Sequence, residues 1–323
     1  MMTAVLVLAL AFAFVNGFHD ASNAIATVVS TRVLRARSAI ALATAMNLVG
    51  AAIALAIPRV AQTIGSGLVQ DAALGPAAVA IALVCATAWN LLTWWLRTPS
   101  SSSHALIGAL YGVALGWVGV SAIQPLGIVW VAVAMAMMPT LGVIGGATGL
   151  VGTLMLVRGV PPKRLESLFR NLQLSSAAFV ALTHGFADVQ RTLGALAIAH
   201  GGAAPGWPTA VAAALVISLG TAAGGWRLIE AMGTRIVKLR PIDGFVAETV
   251  AAWLTAGAAL AGLPASTTHA TAASIVGVGV VTRASAVSWG LTQRIVAVWI
   301  LTPLVPGAAA ALFGALARLA GSY

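Results

Sequence analysis

The chain has 323 residues, of which 60% are hydrophobic and 7% are charged, and its mean hydropathy is +1.00. These values exclude a soluble globular protein and predict a protein embedded in a membrane. The formal net charge of +10 does not indicate nucleic-acid binding, because many of the cations cluster in three short segments, 32–37, 158–170 and 235–240. Short basic loops stay in the cytoplasm. We therefore expect all three segments there and the N-terminus outside.

Apolar segments follow one another along the whole chain, and the polar stretches between them are too short to form a separate domain. The segments cover 3–30, 38–57, 76–97, 104–120, 126–157, 174–199, 208–228, 244–263, 269–282 and 287–317. At about 20 residues per crossing, they predict an all-α polytopic membrane protein with about 10–12 membrane segments. The first segment lacks the basic start of a signal peptide. We interpret it as an interrupted membrane helix that stays in the mature protein.

Two polar motifs recur along the chain and indicate an internal duplication. The stretch Asn16-Gly-Phe-His-Asp20 aligns with His184-Gly-Phe-Ala-Asp188 in the second half of the chain. The stretch Pro99-Ser-Ser-Ser-Ser-His104 aligns with Pro264-Ala-Ser-Thr-Thr-His269. The distance along the chain between these two copies is nearly the same as that between the two aspartates. Two copies of a buried acid and of a hydroxyl run predict a transporter built from two repeats around one central site.

The positions of the basic segments predict the relative orientation of the two copies. About five crossings separate the start of the first copy from the start of the second, and an odd number of crossings reverses the topology. We therefore expect a first transmembrane repeat at 1–157, a short basic cytoplasmic linker at 158–172 and a second, inverted repeat at 173–323. Inverted repeats are typical of transporters that work by alternating access.

Acids within the apolar segments are candidates for binding the coupling cation. A carboxylate at membrane depth costs ~2.5–3.5 kcal/mol, so it marks a functional site by default. A carboxylate would repel an anionic substrate, but it suits Na⁺, or H⁺ when it is desolvated. The predicted ligands of the coupling cation are Asp20, Asp188, Glu248 and Asn47. For the two aspartates the alternative interpretation is a structural ion pair. For Glu248 it is helix packing or a position at the membrane interface.

The two hydroxyl runs predict helix starts, because a proline followed by Ser or Thr caps free backbone amides. A helix start also offers N–H donors and a positive dipole end to a tetrahedral oxyanion such as phosphate or sulfate. A guanidinium binds such anions bidentately. The predicted substrate-binding residues are Ser101, Ser102, Ser103, Ser266, Thr267, Thr268, Asn23, Gln190 and Arg191. Simple capping by the hydroxyls, and snorkelling of Arg191 to an interface, are the alternatives.

Four histidines accompany these motifs, and we predict supporting roles for them. They are His19, His104, His184 and His269. Each could equally be a satisfied polar core residue. The sequence has neither an HExxH motif nor paired Cys/His spacing, so we expect no structural metal and no cofactor beyond the coupling ion.

The stretch NGFHDASNAIATVVSTR resembles the signature of the inorganic phosphate transporter (PiT) family. The segments SSSSHALIGALYGVALG and GLPASTTHATAASIVGVG resemble the family's two hydroxyl-rich segments. The resemblance covers nearly the whole chain and is to the bacterial low-affinity form. It implies cation-coupled uptake of phosphate, inverted repeats, re-entrant hairpins that carry the hydroxyl runs, and a homodimer. The positions that match the family's motifs are Asp20, Asn23, Asp188, Gln190, Ser102, Ser103, Thr267 and Thr268.

Three departures from the family pattern are visible. Ala187 stands where Asn is usual, Arg191 replaces Lys, and the large central soluble loop is reduced to about 158–172. Some relatives are sulfate permeases, so the missing Asn keeps sulfate open as an alternative substrate. A metal-phosphate complex is also open as the transported species.

These observations predict a secondary active symporter of phosphate in the inner (plasma) membrane, coupled to H⁺ or Na⁺. His19 beside Asp20 resembles the bacterial form of the motif and favours H⁺. A membrane-embedded hydrolase is disfavoured because no GxSxG motif is present, so we expect no enzymatic activity. A passive anion channel is disfavoured because buried acids oppose anion conduction.

Overall fold

A computed structural model of the protein describes residues 1–70 and 74–321. Twelve α-helices account for most of these residues, and the described part contains only one isolated β-bridge, between Val69 and Ile123. The helices of the first half are α1 (Met2–Ser30), α2 (Ala36–Ala56), α3 (Arg59–Gly67), α4 (Pro76–Trp95), α5 (Ser102–Trp117) and α6 (Pro125–Leu156). Those of the second half are α7 (Pro162–Ala199), α8 (Trp207–Ala223), α9 (Trp226–Thr234), α10 (Pro241–Leu260), α11 (Thr267–Arg283) and α12 (Trp289–Leu319).

Several of these helices have the length and composition of membrane spans. Within the described ranges, α1, α2, α4, α6 and α12 are long and apolar enough to cross a membrane. A sixth span results if Trp207–Ala223 and Arg227–Gly233, which meet at 71°, form one broken helix. The prediction of an all-α polytopic membrane protein is confirmed. Helices α5 and α11 have only 16 and 17 residues, about 24–26 Å at 1.5 Å per residue.

The two halves pack against each other in a reciprocal pattern. Helix α1 packs on α8 as α2 packs on α7, and α5 packs on α12 as α6 packs on α11. Close approach requires glycine at equivalent positions: a Cβ on Gly17 of α1 would collide with the carbonyl of Ile217 in α8, and one on Gly185 of α7 with that of Asn47 in α2. These two glycines are related by the same offset in the chain as the two acids.

The predicted interruption of the first helix is wrong, because α1 runs without a break through the Asn16–Asp20 motif. The motif contains no proline, and its Gly17 packs directly against the α8 backbone. The breaks lie instead between α2 and α3 and between α8 and α9. The predicted linker 158–172 is also mostly helical, since α7 already begins at Pro162, where a proline in the first turn is well tolerated.

Candidate functional site

The first turns of α5 and α11 meet in the interior of the molecule. The Ser103 hydroxyl donates to the Ala265 carbonyl at 3.5 Å, and the His104 and His269 rings lie 4.9 Å apart. Ser101 caps α5 by accepting from the His104 amide at 3.3 Å, and Ser266 caps α11 by accepting from the His269 amide at 3.1 Å. The helix starts predicted from the Pro and hydroxyl pattern are therefore present. Ser101 and Ser266 serve as their caps.

The hydroxyls of Ser102, Ser103, Thr267 and Thr268 lie in the first turns of the two helices and are buried. Ser102 donates to Oδ2 of Asp20 at 3.3 Å, and the Asn23 amide donates to the Thr268 hydroxyl at 2.9 Å. Ser103 shares a hydrogen bond with Ser101 at 3.0 Å. Thr267 begins α11 beside Thr268 and is 2% exposed. Polar side chains of α1 thus contact both helix starts.

Arg191 joins the two predicted cation-binding acids. Its Nη1 lies 2.5 Å from Oδ1 of Asp188 and 3.6 Å from Oδ2 of Asp20, and its Nη2 donates to the Ala265 carbonyl at 3.1 Å. The side chain is 1% exposed, so it does not snorkel to an interface. Two carboxylates share one guanidinium, which leaves a formal charge of −1 on this group of three. A buried group of this kind is stable only while each charge keeps its partner.

His19 orients the Asp20 carboxylate from the other side. Its Nδ1 is 3.1 Å from Oδ1 of Asp20, and its Nε2 is 3.3 Å from the Thr93 hydroxyl and 3.4 Å from that of Ser100. These contacts place His19 where it can play the supporting role predicted for it. His184 bonds through Nδ1 to the Val180 carbonyl of its own helix at 2.8 Å.

Several buried polar atoms around this centre have no hydrogen-bond partner among the described residues. They are Oδ1 of Asn23, Oδ2 of Asp188, Nε2 of His184 and both ring nitrogens of His104 and His269. Buried polar groups are nearly always bonded in native proteins, so each unpaired group calls for an explanation. Oxygen atoms of this kind suit a hard cation, and the hydroxyls and helix starts beside them suit an oxyanion.

Glu248 belongs to a second polar cluster. On α10, it accepts hydrogen bonds from the hydroxyls of Thr27 in α1 and Ser176 in α7, and from the Gln173 amide at 3.1 Å. Thr31 in turn donates to Gln173 at 2.9 Å. The four other members of this cluster were not predicted from the sequence. Their signal was weak: polar residues three or four positions apart within an apolar helix.

Gln190 and Asn47 have contacts that differ from those predicted for them. Oε1 of Gln190 accepts from the Val60 amide at 2.8 Å, which satisfies a free N–H at the start of α3, and Nε2 donates to the Phe186 carbonyl at 2.9 Å. Gln190 therefore caps α3 through its side-chain oxygen, while its amide nitrogen bonds within α7. Oδ1 of Asn47 accepts from Ser218 of α8 at 3.2 Å, so Asn47 holds the contact of α2 with α8 and does not bond to an acid.

A small cavity borders Arg191. Ala187 lies in its wall, together with Thr255, Pro264 and Ala265. The residue at position 187 is therefore close enough to affect what approaches the guanidinium. The small Ala side chain contributes no polar atom to this wall.

Comparison with known proteins gives consistent matches along the chain. Residues 16–310 match the Phosphate transporter family. A protein of Rhizobium meliloti (strain 1021) described as "Probable low-affinity inorganic phosphate transporter" is 40% identical over 329 residues, which are 99% of this chain and 96% of that protein. One of Bacillus subtilis (strain 168) with the same description is 38% identical over 308 residues, covering 92% and 91%.

A solved structure described as "The sodium-dependent phosphate transporter" has the same fold. The two superpose with a TM-score of 0.85 over 98% of this chain and 99% of the other, at 21% sequence identity. At this identity the likeness establishes the fold alone.

Proposed function

Because the chain belongs to the phosphate transporter family, we propose that it is a secondary active symporter of inorganic phosphate in the inner (plasma) membrane, driven by H⁺ or Na⁺. The observation that carries this proposal is the position of Arg191. Its guanidinium is shared by Asp20 and Asp188 and lies beside the Ala265 carbonyl, next to the two hydroxyl-bearing helix starts.

Phosphate docks between the first turns of α5 and α11. The free N–H groups and the positive dipole ends of both helices favour an anion there. Additional donors come from Ser102, Ser103, Thr267, Thr268 and the amide of Asn23, all of them buried. Arg191 supplies the charge that the phosphate oxygens need, in the fork geometry that guanidinium offers to oxyanions.

The two acids explain why a cation must bind with the anion. With Arg191 paired to both carboxylates, the centre carries a formal charge of −1 and repels phosphate. A cation on Asp188, whose Oδ2 has no partner among the described residues, or on Asp20 neutralises the centre. The guanidinium is then free to turn towards phosphate. Glu248 forms a further acidic position for a cation, with the hydroxyl oxygens of Thr27 and Ser176 beside it and the Gln173 amide nitrogen donating to it.

Alternating access follows from the reciprocal packing of the two halves. The anion lies where the halves meet, so a rocking of one half against the other exposes it first to the outside and then to the cytoplasm. The N-terminus lies outside, and the basic segments 32–37, 158–170 and 235–240 lie in the cytoplasm. Two copies of the chain form a homodimer.

Uptake into proteoliposomes tests this proposal. Labelled phosphate should accumulate against its gradient when an inward Na⁺ or H⁺ gradient is imposed, and the effective ion identifies the coupling. Asp20→Asn should abolish accumulation, whereas Glu166→Gln, at an exposed position in the 158–170 segment, should not. Equilibration without accumulation would instead indicate a passive channel.

Sulfate is the second candidate substrate, and Ala187 in the cavity wall beside Arg191 is the observation that favours it. Excess unlabelled sulfate in the same assay decides between the two. Phosphate uptake that persists in excess sulfate supports the phosphate symporter. Accumulation of labelled sulfate without phosphate uptake would contradict it.

A further inference from the structure

Two arginines occupy equivalent positions in the two halves of the chain. Nη1 of Arg59, at the start of α3, donates to the Leu260 carbonyl at 3.0 Å. Nη1 of Arg227, at the start of α9, donates to the Trp95 carbonyl at 3.3 Å. The two arginines are related by the same offset in the chain as the two acids, and their two acceptors by the same offset as the hydroxyl runs. Each bond joins one half of the chain to the other.

Both acceptors lie directly before the segments that lead to the central site. Trp95 ends α4 and Leu260 ends α10, and the short segments 96–101 and 261–266 then lead directly to the hydroxyl-bearing starts of α5 and α11. In the predicted orientation the Arg227 contact is on the cytoplasmic side, since α9 continues into the basic segment 235–240, and the Arg59 contact is on the outer side. Both contacts are formed in the structure.

The cytoplasmic contact has additional interactions that the outer contact lacks. Glu230 lies 3.8 Å from Nη1 of Arg97 and 2.7 Å from Nη2 of Arg235, and the Arg227 guanidinium stacks 4.9 Å from the Trp94 ring centroid. The residues at the equivalent outer positions of Glu230, Arg97 and Trp94 can form neither ion pairs nor a cation–π contact. They are Gln62, Gly262 and Ala259.

The backbone at Arg97 supports a function for its side chain. Arg97 has φ +57° and Gly262, its equivalent, has φ +74°, so both residues end their helices in the left-handed region. Glycine adopts this conformation without strain, whereas the Cβ of any other L-residue is crowded there. An arginine is strained in this conformation, and its guanidinium lies 3.8 Å from a carboxylate oxygen of Glu230 in the other half of the chain.

We propose that Arg59 and Arg227 are paired gate latches of the transport cycle, and that the Arg97–Glu230 pair reinforces the cytoplasmic one. The empty protein therefore opens to the outside more readily than to the cytoplasm, the order that uptake requires. This inference rests on the proposed transport function, because a gate presupposes transport. The two contacts can nevertheless be tested without measuring transport.

The test uses single cysteines as reporters of opening, in a background where the lone Cys85 is replaced by Ala. Ser100→Cys and Ala265→Cys are equivalent, buried positions between each latch and the central site. A membrane-impermeant maleimide is applied from the cytoplasmic side of inside-out vesicles for the first, and from the outer side of right-side-out vesicles for the second. Labelling rates are measured without phosphate, so they do not depend on the proposed substrate.

We expect Arg227→Gln, and separately Arg97→Gly, to raise the labelling rate of Ser100→Cys about two- to fivefold, the range that an exposed ion pair supports. Neither change should raise the rate at Ala265→Cys, which Arg59→Gln should raise instead. Arg97→Gly is informative because glycine suits the local backbone, so it should not lower the melting temperature. Arg158→Gln, another exposed arginine on the cytoplasmic side, is the control and should leave both rates unchanged.

Two results would overturn the inference. One is an unchanged Ser100→Cys rate in both Arg227→Gln and Arg97→Gly in protein that retains the wild-type melting temperature. The other is an equal rise at both reporters, which would indicate general loosening of the fold. Failure of phosphate uptake alone, with side-specific labelling intact, would contradict the proposed function and leave the latches standing.

Discussion

Arg191 of α7 lies 3.6 Å from the carboxylate of Asp20 in α1, and this ion pair joins the two halves of the molecule at the place where their hydroxyl-bearing helix starts meet. The same nitrogen also contacts Asp188. The positive guanidinium of Arg191 is thus bound by two acids, in a site that we propose also binds an anion. This arrangement makes the charge of the site depend on whether a coupling cation is present.

Replacing Arg191 should separate its anion-binding role from its structural one. Arg191→Gln leaves two buried acids without their partner, so we expect loss of uptake together with a stability loss of about 3–5 kcal/mol. Arg191→Lys keeps the charge but loses the bidentate fork. It should retain uptake with the KM for phosphate raised about tenfold, roughly 1.4 kcal/mol. A wild-type KM in the lysine variant would show that the guanidinium does not contact phosphate.

The hydroxyl runs should divide into caps and anion ligands. Ser101→Ala removes the α5 cap and should cost about 1 kcal/mol of stability, seen as a lower melting temperature. Thr268→Val keeps the shape of the side chain but removes its hydroxyl, so it should raise the KM for phosphate. Melting and uptake curves for both variants check this. A Thr268→Val protein with unchanged KM would contradict the docking position between the helix starts.

Replacing Glu248 should lower the affinity for the coupling cation and leave the affinity for phosphate nearly unchanged. Glu248→Gln removes the charge while preserving the size of a side chain that contacts Thr27, Ser176 and Gln173. We expect a weaker apparent affinity for the coupling cation, with the KM for phosphate near wild type once the cation saturates. Ser176→Ala, which removes one partner but no charge, is the matched control. Identical cation curves for wild type and Glu248→Gln would exclude this acid from cation binding.

Gln190 should contribute to stability and not to substrate affinity. Gln190→Ala leaves the Val60 amide at the start of α3 without its acceptor, and an unsatisfied buried donor costs about 1–3 kcal/mol. Thermal melting should therefore shift downward, while the folded fraction takes up phosphate with a normal KM. A raised KM in stable protein would contradict this expectation and support the substrate-binding role predicted from the sequence.

The sequence predicted features that are local or repeated, and failed on those set by distant partners. The duplicated acids and the Pro-hydroxyl helix starts are visible as short motifs, so the starts of α5 and α11 could be predicted closely. Ser101 and Ser266 were predicted as substrate ligands, and the structure shows them as caps. The contact of Gln190 with α3 could not, because it depends on how α7 is rotated against a helix in the other half of the chain. The continuity of α1 was missed for a similar reason. The sequence predicts a break at Asn16-Gly-Phe-His-Asp20, but partners on α4, α5 and α7 accommodate the side chains of His19 and Asp20 within the helix.

A titration of phosphate into the purified protein, with and without the coupling cation, tests the proposed charge dependence of the site. We expect phosphate to bind about tenfold more tightly or better, a difference of roughly 1.4 kcal/mol, when either Na⁺ is saturating or the pH is lowered. Asp188→Asn should largely remove this dependence. The ion that has the effect identifies the coupling. Equal phosphate affinity under all these conditions would contradict the claim that a cation on the two acids releases Arg191 to bind the anion.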